Sequence, residues 1–352
     1  MAYTTIDDPS AYFQTTLYTG NGGTQSITNT GNSDLQPDWI WIKARNEAEH
    51  HNLVDSVRGN TKVVYSSMSN SEDTTSIQVT SFASDGFALG SGTNTNKNNI
   101  TYAAWQWKAG TSFTNDASST GIGSIDSAGS FNNDAGFSIV TYTGNGSSGA
   151  TVKHGMNQKP AMFIIKDRDN SNEGWMVYHK FWGATKYQRL NETGAVATGS
   201  AYFNNTEPTS SVFTIGNNDV VNKSGDKYVT YCFAEKQGYS KFGSYAANEN
   251  VNGPFVYTGF KPAFVILRQS NLGRDWHMFD NKRSTFNAVG RYLRPNVSGA
   301  EDSGEDYLDL LSNGFKLKNT GNRFNDADGT YIFMAFAESP FVTSTGIPTT
   351  AR

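Results

Sequence analysis

The sequence has one cysteine, Cys232, and little charge, since Asp, Glu, Lys and Arg make up 17% of its 352 residues. One cysteine excludes an internal disulfide and any metal or iron–sulfur site built from several cysteines. The formal net charge is −4 and no run of Lys or Arg occurs, so the positive surface that nucleic-acid binding requires is missing. No stretch approaches the ~20 apolar residues of a membrane span. Neither nucleic acid nor a membrane is therefore an expected partner.

The first residues, MAYTTIDD, contain neither the basic nor the apolar region of a signal peptide. Synthesis in the cytoplasm is therefore expected, which leaves open where the protein works.

What replaces the missing charge is Gly, Ser, Thr and Asn, together with aromatic residues at 13% of the chain. Disordered chains have few aromatics and a high net charge. The composition therefore predicts packed, turn-rich domains.

A strand-like block occurs three times, each time as a proline, an apolar run and a basic residue. The copies are 37–43 (PDWIWIK), 160–167 (PAMFIIKD) and 262–268 (PAFVILR). In each copy an aromatic strand precedes the block, and an alternating strand, a Gly-Phe-type strand and a closing aromatic strand follow it. The same landmarks in the same order indicate an internal repeat of about 100 residues, the size of a small domain.

The repeats predict the fold. Strands rich in Val, Ile, Thr and aromatics recur at short intervals between turn residues, and no segment offers a long amphipathic helix. We predict an all-β protein of three tandem antiparallel β-sandwich repeats of jelly-roll or lectin-like type, arranged as separate beads. The predicted bounds are 1–110, 134–238 and 239–352, the last with a C-terminal tail, and 111–133 is predicted to be a Gly/Ser/Thr/Asn linker.

Positions that match between copies predict packing. Six aromatic residues are expected in the cores: Trp107, Phe233, Phe336, Phe87, Phe213 and Phe315. The basic residues that end the blocks, Lys43, Lys166 and Arg268, are expected to be solvated or to hold a loop carboxylate. Asp55 with Arg58, and the corresponding Asp280 with Arg283, are interpreted as surface ion pairs.

The sequence offers little catalytic chemistry. The segment 144–149 (GNGSSG) matches a dinucleotide fingerprint, but a strand pattern follows it where a helix is required, so a glycine-rich turn is favoured. Two oxygen-rich loops, 167–173 and 325–329, lack the Gly and Glu of calcium loops, and turn chemistry is favoured there. No Gly-x-Ser-x-Gly elbow is present. We expect no cofactor, no metal and no enzyme activity, although a two-carboxylate glycosidase stays open because its acids need not be close in sequence.

Several segments resemble a repeat-domain family of virion proteins from tailed bacteriophages of marine bacteria and cyanobacteria. The matching segments are 34–43 (DLQPDWIWIK), 55–59 (DSVRG), 102–110 (YAAWQWKAG), 236–245 (KQGYSKFGSY) and 335–341 (AFAESPF). The resemblance implies a structural protein labelled tail fibre or lectin-like, made in the host cytoplasm and located on the virion. It implies other virion proteins and a host-surface glycan or protein as partners, and a homo-oligomer for which a trimer is one arrangement.

A glycan site would need exposed aromatic faces and amide or carboxylate side chains on loops. The candidates are Trp175, Trp182, Trp276 and Asn281, with core packing as the alternative for Trp175 and Trp276. Three functions remain open: a tail fibre or receptor-binding protein, a head-decoration or tail-collar subunit without a receptor role, and a polysaccharide depolymerase.

Overall fold

A computed structural model describes residues 2–321 and 323–349. The prediction of an all-β, antiparallel architecture is confirmed, since strands dominate the chain and every pair of named strands runs antiparallel. The described helices are single turns: Pro9–Ala11 (3₁₀), α1 Thr93–Asn96, α2 Ala117–Thr120, α3 Ser200–Phe203 and α4 Asp219–Asn222. No helix in this part of the chain is long and apolar enough to cross a membrane.

The strands fall into three stretches, which we call unit 1 (13–107), unit 2 (137–233) and unit 3 (240–340). Unit 1 contains β1 Phe13–Thr19, β2 Gln25–Thr28, β3 Trp39–Ala44, β4 Asn52–Asp55, β5 Lys62–Val63, β6 Asp73–Thr74, β7 Val79–Ala83, β8 Gly86–Leu89 and β9 Thr101–Trp107. Between units 1 and 2 lie β10 Thr111–Asn115 and β11 Ser127–Asn132. Unit 2 contains β12 Phe137–Thr143, β13 Ala150–Lys153, β14 Met162–Asp167, β15 Met176–His179, β16 Lys186–Arg189, β17 Ala197–Thr198, β18 Val212–Ile215 and β19 Lys227–Phe233. Unit 3 contains β20 Ser240–Ala246, β21 Phe255–Tyr257, β22 Phe260–Gln269, β23 Trp276–Asp280, β24 Val289–Tyr292, β25 Asp302–Leu311, β26 Gly314–Leu317 and β27 Thr330–Pro340.

Each unit has an inner row of four strands in the same order. The rows are β1-β9-β3-β4, β12-β19-β14-β15 and β20-β27-β22-β23. An outer sheet accompanies each row: β2-β8-β7 in unit 1, β13-β18 in unit 2 and β21-β26-β25-β24 in unit 3. The six aromatic residues predicted as core from the repeat are all buried, at 0–1% exposure.

The two middle strands of each inner row are buried on both faces over most of their length, which is unusual for antiparallel sheets. Along β3, Trp39 and Trp41 belong to one apolar cluster, whereas Ile40 and Ile42 belong to another. The cluster that contains Trp39 also takes Met162 of β14 and residues of all three units, while the other faces pack inside their own sandwiches. The units are therefore not separate beads, because their inner sheets share one central core.

Aromatic rings fill this central core. The ring of Trp39 lies 4.3 Å from that of Tyr231 and 4.5 Å from that of Trp107, and Phe13 stacks on Phe336 at 5.3 Å. Such pairs contribute roughly 0.5–1.5 kcal/mol each beyond the area they bury. The Trp39–Tyr231 pair joins units 1 and 2 and the Phe13–Phe336 pair joins units 1 and 3, so these two ring contacts stabilise the assembly of the units.

The aromatic strand that leads each unit ends in a repeated turn. Tyrosine rings stack in the three units at 5.0, 5.0 and 4.9 Å: Tyr18 on Tyr102, Tyr142 on Tyr228 and Tyr245 on Tyr331. At Gly144 a Cβ atom would lie 2.2 Å from the carbonyl oxygen of Lys223, so only glycine fits this approach. The interpretation of 144–149 as a glycine-rich turn is confirmed, since it connects β12 to β13.

A buried ion-pair network joins units 1 and 2. The carboxylate of Asp55 accepts hydrogen bonds from Arg58 Nε at 2.6 Å and from the Tyr231 hydroxyl at 2.8 Å. Arg58 also contacts Glu72 at 2.9 Å, and Glu72 in turn accepts two hydrogen bonds from Arg168. Burial alone would raise the pKa of Glu72, but Arg168 and Arg58 together lower it. The Asp55–Arg58 pair is fully buried, so its interpretation as a surface pair is wrong.

Units 3 and 1 are joined by the corresponding groups. Asp280 accepts from Arg283 Nε at 2.6 Å and from the Trp105 indole at 3.0 Å. Arg283 contacts Glu301 at 3.2 Å, and Glu301 accepts a bidentate pair from Arg45 at 3.0 Å. This pair is also fully buried and was likewise wrongly assigned to the surface.

The junction of units 2 and 3 lacks the acid–arginine pair. His179 occupies the position of Asp55 and lies with its Nε2 atom 3.3 Å from the carbonyl oxygen of Phe333. Glu235 pairs with Lys180 at 2.5 Å and with Lys241 at 2.6 Å. Contacts thus run from unit 1 to 2, from 2 to 3 and from 3 back to 1, which closes the units into a ring.

The basic residues that end the central strands are buried, so their predicted solvation is wrong. Lys43 donates to the carbonyl oxygens of Ala44 and Glu47. Burial lowers the pKa of Lys43 and of Lys166 to about 8 and that of Arg268 to about 10. Backbone carbonyl oxygens take the place of water at these cations: Lys166 donates to those of Ser69 and Glu173, and Arg268 Nη2 donates to that of Gly194.

The segment 111–133 is not a free linker. Its strands β10 and β11 form a hairpin, and β11 pairs with the outer edge of β12 from Ser127 to Asn132. The polar composition that indicates flexibility does not prevent backbone pairing, and the rings of Phe113 and Phe131 pack on Gly155. Small residues with two aromatic anchors are sufficient to extend a sheet.

We expect that replacing Asp280 by Ala strongly destabilises the fold, because Arg283 then keeps a buried charge without its closest partner. The expected loss is about 3–5 kcal/mol in the free energy of unfolding. Chemical denaturation followed by circular dichroism measures it. Lys159→Ala, which breaks the exposed pair with Glu207, is the control and costs at most about 1 kcal/mol. Equal losses in the two variants would contradict a structural role for the buried pair.

We expect stability to fall as the pH drops below about 6.5. Burial lowers the pKa of four histidines: His154 to about 4, His179 to about 3, and His51 and His277 well below the usual value. Unfolded histidines bind protons near pH 6.5, so below that pH the unfolded state takes up more protons than the folded one. Urea midpoints at pH 7.5 and 5.5 measure the effect. His179→Gln, which keeps a donor for Phe333, is expected to reduce the drop; a midpoint independent of pH would refute the explanation.

We also expect the three units to unfold in a single transition, because they share one core. Cys232 is fully buried in unit 2, and burial raises the pKa of its thiol. Its reaction with a thiol reagent is expected to appear at the same denaturant concentration as the change in tryptophan fluorescence, which reports on units 1, 2 and 3. A thiol that reacts well before the fluorescence changes would show that unit 2 opens alone.

Candidate functional site

Three of the four residues predicted to contact a glycan are buried. Trp175, Trp276 and Trp182 are 0%, 1% and 8% exposed and belong to the central core. The indole N–H of Trp175 donates to the carbonyl oxygen of Tyr65, and that of Trp276 donates to the carbonyl oxygen of Arg189. Trp175 and Trp276 therefore join neighbouring units, which agrees with the alternative of core packing for these two residues. Burial also argues against a sugar-stacking role for Trp182.

The fourth predicted residue, Asn281, lies at the surface. It follows β23 at the junction of units 3 and 1, and its backbone N–H donates to the carbonyl oxygen of Ala263 at 3.0 Å. Its side-chain oxygen is buried and has no hydrogen-bond partner among the described residues.

Asn281 belongs to a groove of three adjoining cavities, which we call the junction groove. The loop cavity, of about 380 Å³, lies beside the segment 281–287. The bridging cavity, of about 190 Å³, is lined by Asn281 and by Gln14 of β1. The strand cavity, of about 350 Å³, follows β1 to Ile27. Lys282 lines all three cavities.

The loop cavity combines an aromatic ring with polar groups. Phe286 is 83% exposed, the highest value among the large apolar residues described. Asn287 holds its loop in place, donating to the carbonyl oxygen of Leu310 at 2.9 Å and accepting from the Leu310 N–H at 2.8 Å. Lys261 and Glu338 form an exposed ion pair of 2.8 Å across the cavity. Such an arrangement suits a hydroxyl-rich ligand with an apolar face.

The groove offers little for catalysis. Glu338 is the carboxylate that lines the loop and bridging cavities, and none of their other lining residues is an acid. A glycosidase of the usual type needs two carboxyl groups about 5–10 Å apart. Within the described ranges, no group of His, Cys, Asp and Glu is arranged to hold a metal ion.

Sequence reasoning missed Lys282 and Phe286. The signal available was a single phenylalanine in the polar run 281–287 (NKRSTFN), directly after a buried strand. Apolar residues inside polar loops are also common as anchors of the loop, so the pattern alone does not show that the ring of Phe286 faces solvent.

Fold and groove together define an all-β, antiparallel protein whose three units share one core and which has a polar groove at the junction of units 3 and 1. The chain belongs to a family described as a domain of unknown function (DUF7483), which matches residues 8–340. The match extends over all three units and the 111–133 hairpin. No curated protein matches the sequence.

Proposed function

We propose that the protein is a non-enzymatic structural component of a tailed-phage particle, a tail fibre or tail-associated receptor-binding protein that contacts a glycan on the host surface. The resemblance of its motifs to phage virion proteins supports the particle, and the loop cavity supports the glycan. The observation that carries the glycan contact is the exposed Phe286 ring, which lines the loop cavity together with Asn281, Lys282 and Asn287.

The architecture supports contact without catalysis. The two buried acid–arginine pairs lie at junctions between units, and the loop cavity supplies one carboxylate, Glu338. A site of this kind holds a ligand through ring stacking and hydrogen bonds and offers no second acid to cleave it.

A head-decoration or tail-collar subunit is the second candidate, because unit 3 exposes two further aromatic rings besides that of Phe286. Phe255 and Tyr257 on β21 are 46% and 55% exposed. The matching positions are Ser26 and Thr28 in unit 1, and Thr151 and Lys153 in unit 2, as the strand registers show. Exposed aromatic rings at two strand positions that are polar in the other two units favour contact of unit 3 with another protein. Antibody labelling of intact particles separates the two functions, since label on the capsid would end the tail assignment.

We expect the purified full-length protein to bind polysaccharide extracted from the host envelope, and Phe286→Ala to weaken this binding about tenfold. Loss of one stacked ring removes roughly 1 kcal/mol or somewhat more, which corresponds to about that factor. Because the ring is exposed, the substitution is not expected to destabilise the fold. Biolayer interferometry on immobilised polysaccharide measures the change.

The matched control is Phe181→Ala, which removes another exposed ring, in unit 2. It should bind as the unsubstituted protein does. Equal weakening in both variants, or no binding by either protein, would refute the glycan site. Release of reducing ends from the polysaccharide during the incubation would refute the non-enzymatic role and favour a depolymerase.

A further inference from the structure

The first strand of unit 1 has a free edge. Among the described residues strand β1 pairs with β9 alone, and hydrogen bonds join Lys108 N to Tyr12 O and Gly20 N to Ile100 O. Antiparallel bonding alternates at every second residue, so the even-numbered residues of β1 bond to β9. The backbone N–H and C=O groups of Thr15 and Leu17 therefore point to the free edge.

At Thr15 this edge is buried more than an ordinary solvent-facing edge, whereas Leu17 is 36% exposed. Thr15 is 5% exposed, and its hydroxyl is buried with no hydrogen-bond partner among the described residues. Thr15 lines both the bridging cavity and the strand cavity. Buried polar groups without partners cost free energy, so the groove favours a ligand that supplies hydrogen bonds along the strand.

Unit 2 shows what fits such an edge. Its equivalent strand, β12, pairs on the same side with β11, with Ile139 opposite Ser130. Just before β11, Ile125 forms a bridge with Val152 of β13 and is 7% exposed within the apolar core of the sandwich. An extended segment thus closes the edge and an aliphatic side chain fills the slot between the two sheets.

The same slot is open in unit 1. Ile27 matches Val152, because each pairs with the buried phenylalanine of the neighbouring outer strand. The strand cavity lies where Ile125 lies in unit 2, between β1 and Ile27. The residues preceding β1 do not fill it, since Tyr3 bonds to Gly259 of unit 3 and Thr4 bonds to Gln237, between units 2 and 3.

We infer that β1 is a docking edge for an extended segment of a partner polypeptide, which adds to the inner sheet of unit 1 as β11 adds to that of unit 2. The segment has small or polar residues, no proline at the positions that pair, and one aliphatic side chain that enters the strand cavity. Backbone hydrogen bonds supply affinity in such strand addition, and the side-chain slot supplies specificity. This inference concerns attachment to another protein and does not depend on the glycan contact.

The test uses the segment that is known to fit the equivalent edge. A fluorescent peptide of residues 122–132 (IGSIDSAGSFN) is titrated with the full-length protein, and anisotropy reports binding. Saturable binding is expected, with slower hydrogen exchange at the amides of Thr15 and Leu17. The peptide carrying Ile125→Asp is expected to bind at least about tenfold more weakly, since a charge enters the apolar slot.

Leu17→Pro removes an outward N–H and is expected to weaken peptide binding at least about tenfold. The matched control is Ser244→Pro at the corresponding position of β20 in unit 3, which should leave binding within about twofold. Circular dichroism verifies the fold of both variants. Absence of binding, or equal binding by the Leu17→Pro protein, would overturn the inference. Dimerisation of the protein alone that Leu17→Pro abolishes would also overturn it, because the occupant would then be a second copy.

Discussion

The two middle strands of each inner row are buried on both faces over most of their length, and this constraint governs the rest of the structure. A strand such as β3 has no solvent side, so Trp39 and Ile40, on opposite faces, must both find apolar partners. Three sheets meet this demand by facing one another around a common aromatic core. Polar groups at the sheet ends are then cut off from water, and they must be paired within the protein. The acid–arginine networks at two junctions follow from that requirement.

The sequence was sufficient to predict the strands, because their apolar and aromatic runs and the turns between them are local signals. The sequence was insufficient to predict which residues are buried by contacts between the units. Asp55 followed by Arg58 has the same pattern on a surface as in a buried junction, and burial depends on Tyr231 of another unit. Trp175 was misassigned for the same reason: its alternating strand indicates one buried face, but the second face is buried only because the sheets close into a ring. The hairpin at 111–133 was missed because its composition is that of a linker, while its pairing is decided by the free edge of β12.

The groove illustrates a different limit of sequence reasoning. Asn281 was predicted from residue type on a loop, and it lies in a cavity because unit 1 supplies the opposite wall through Gln14. Neither unit 3 nor unit 1 forms the bridging cavity without the other. The exposure of Phe286 depends in turn on the hydrogen bonds of Asn287 to Leu310, which fix the loop away from the core. Sites formed between units leave weak signals in each unit, since no single stretch of sequence contains them.

Because the three units have the same strand order, residues at equivalent positions can be compared, and a difference between the units indicates a role beyond the shared fold. Positions that support the core vary little in kind: Trp107, Phe233 and Phe336 all fill the centre. At the edge, Thr15 stands where units 2 and 3 have Ile139 and Phe242, both in the central core. With a polar residue at that position the fold lacks the stabilisation that burial of a larger apolar side chain would give. The open cavity beside Thr15 also lacks the close packing of a protein interior. The other two units show that the fold accepts an apolar residue at this position, so a requirement of stability does not explain Thr15. A ligand that binds in the cavity beside it does.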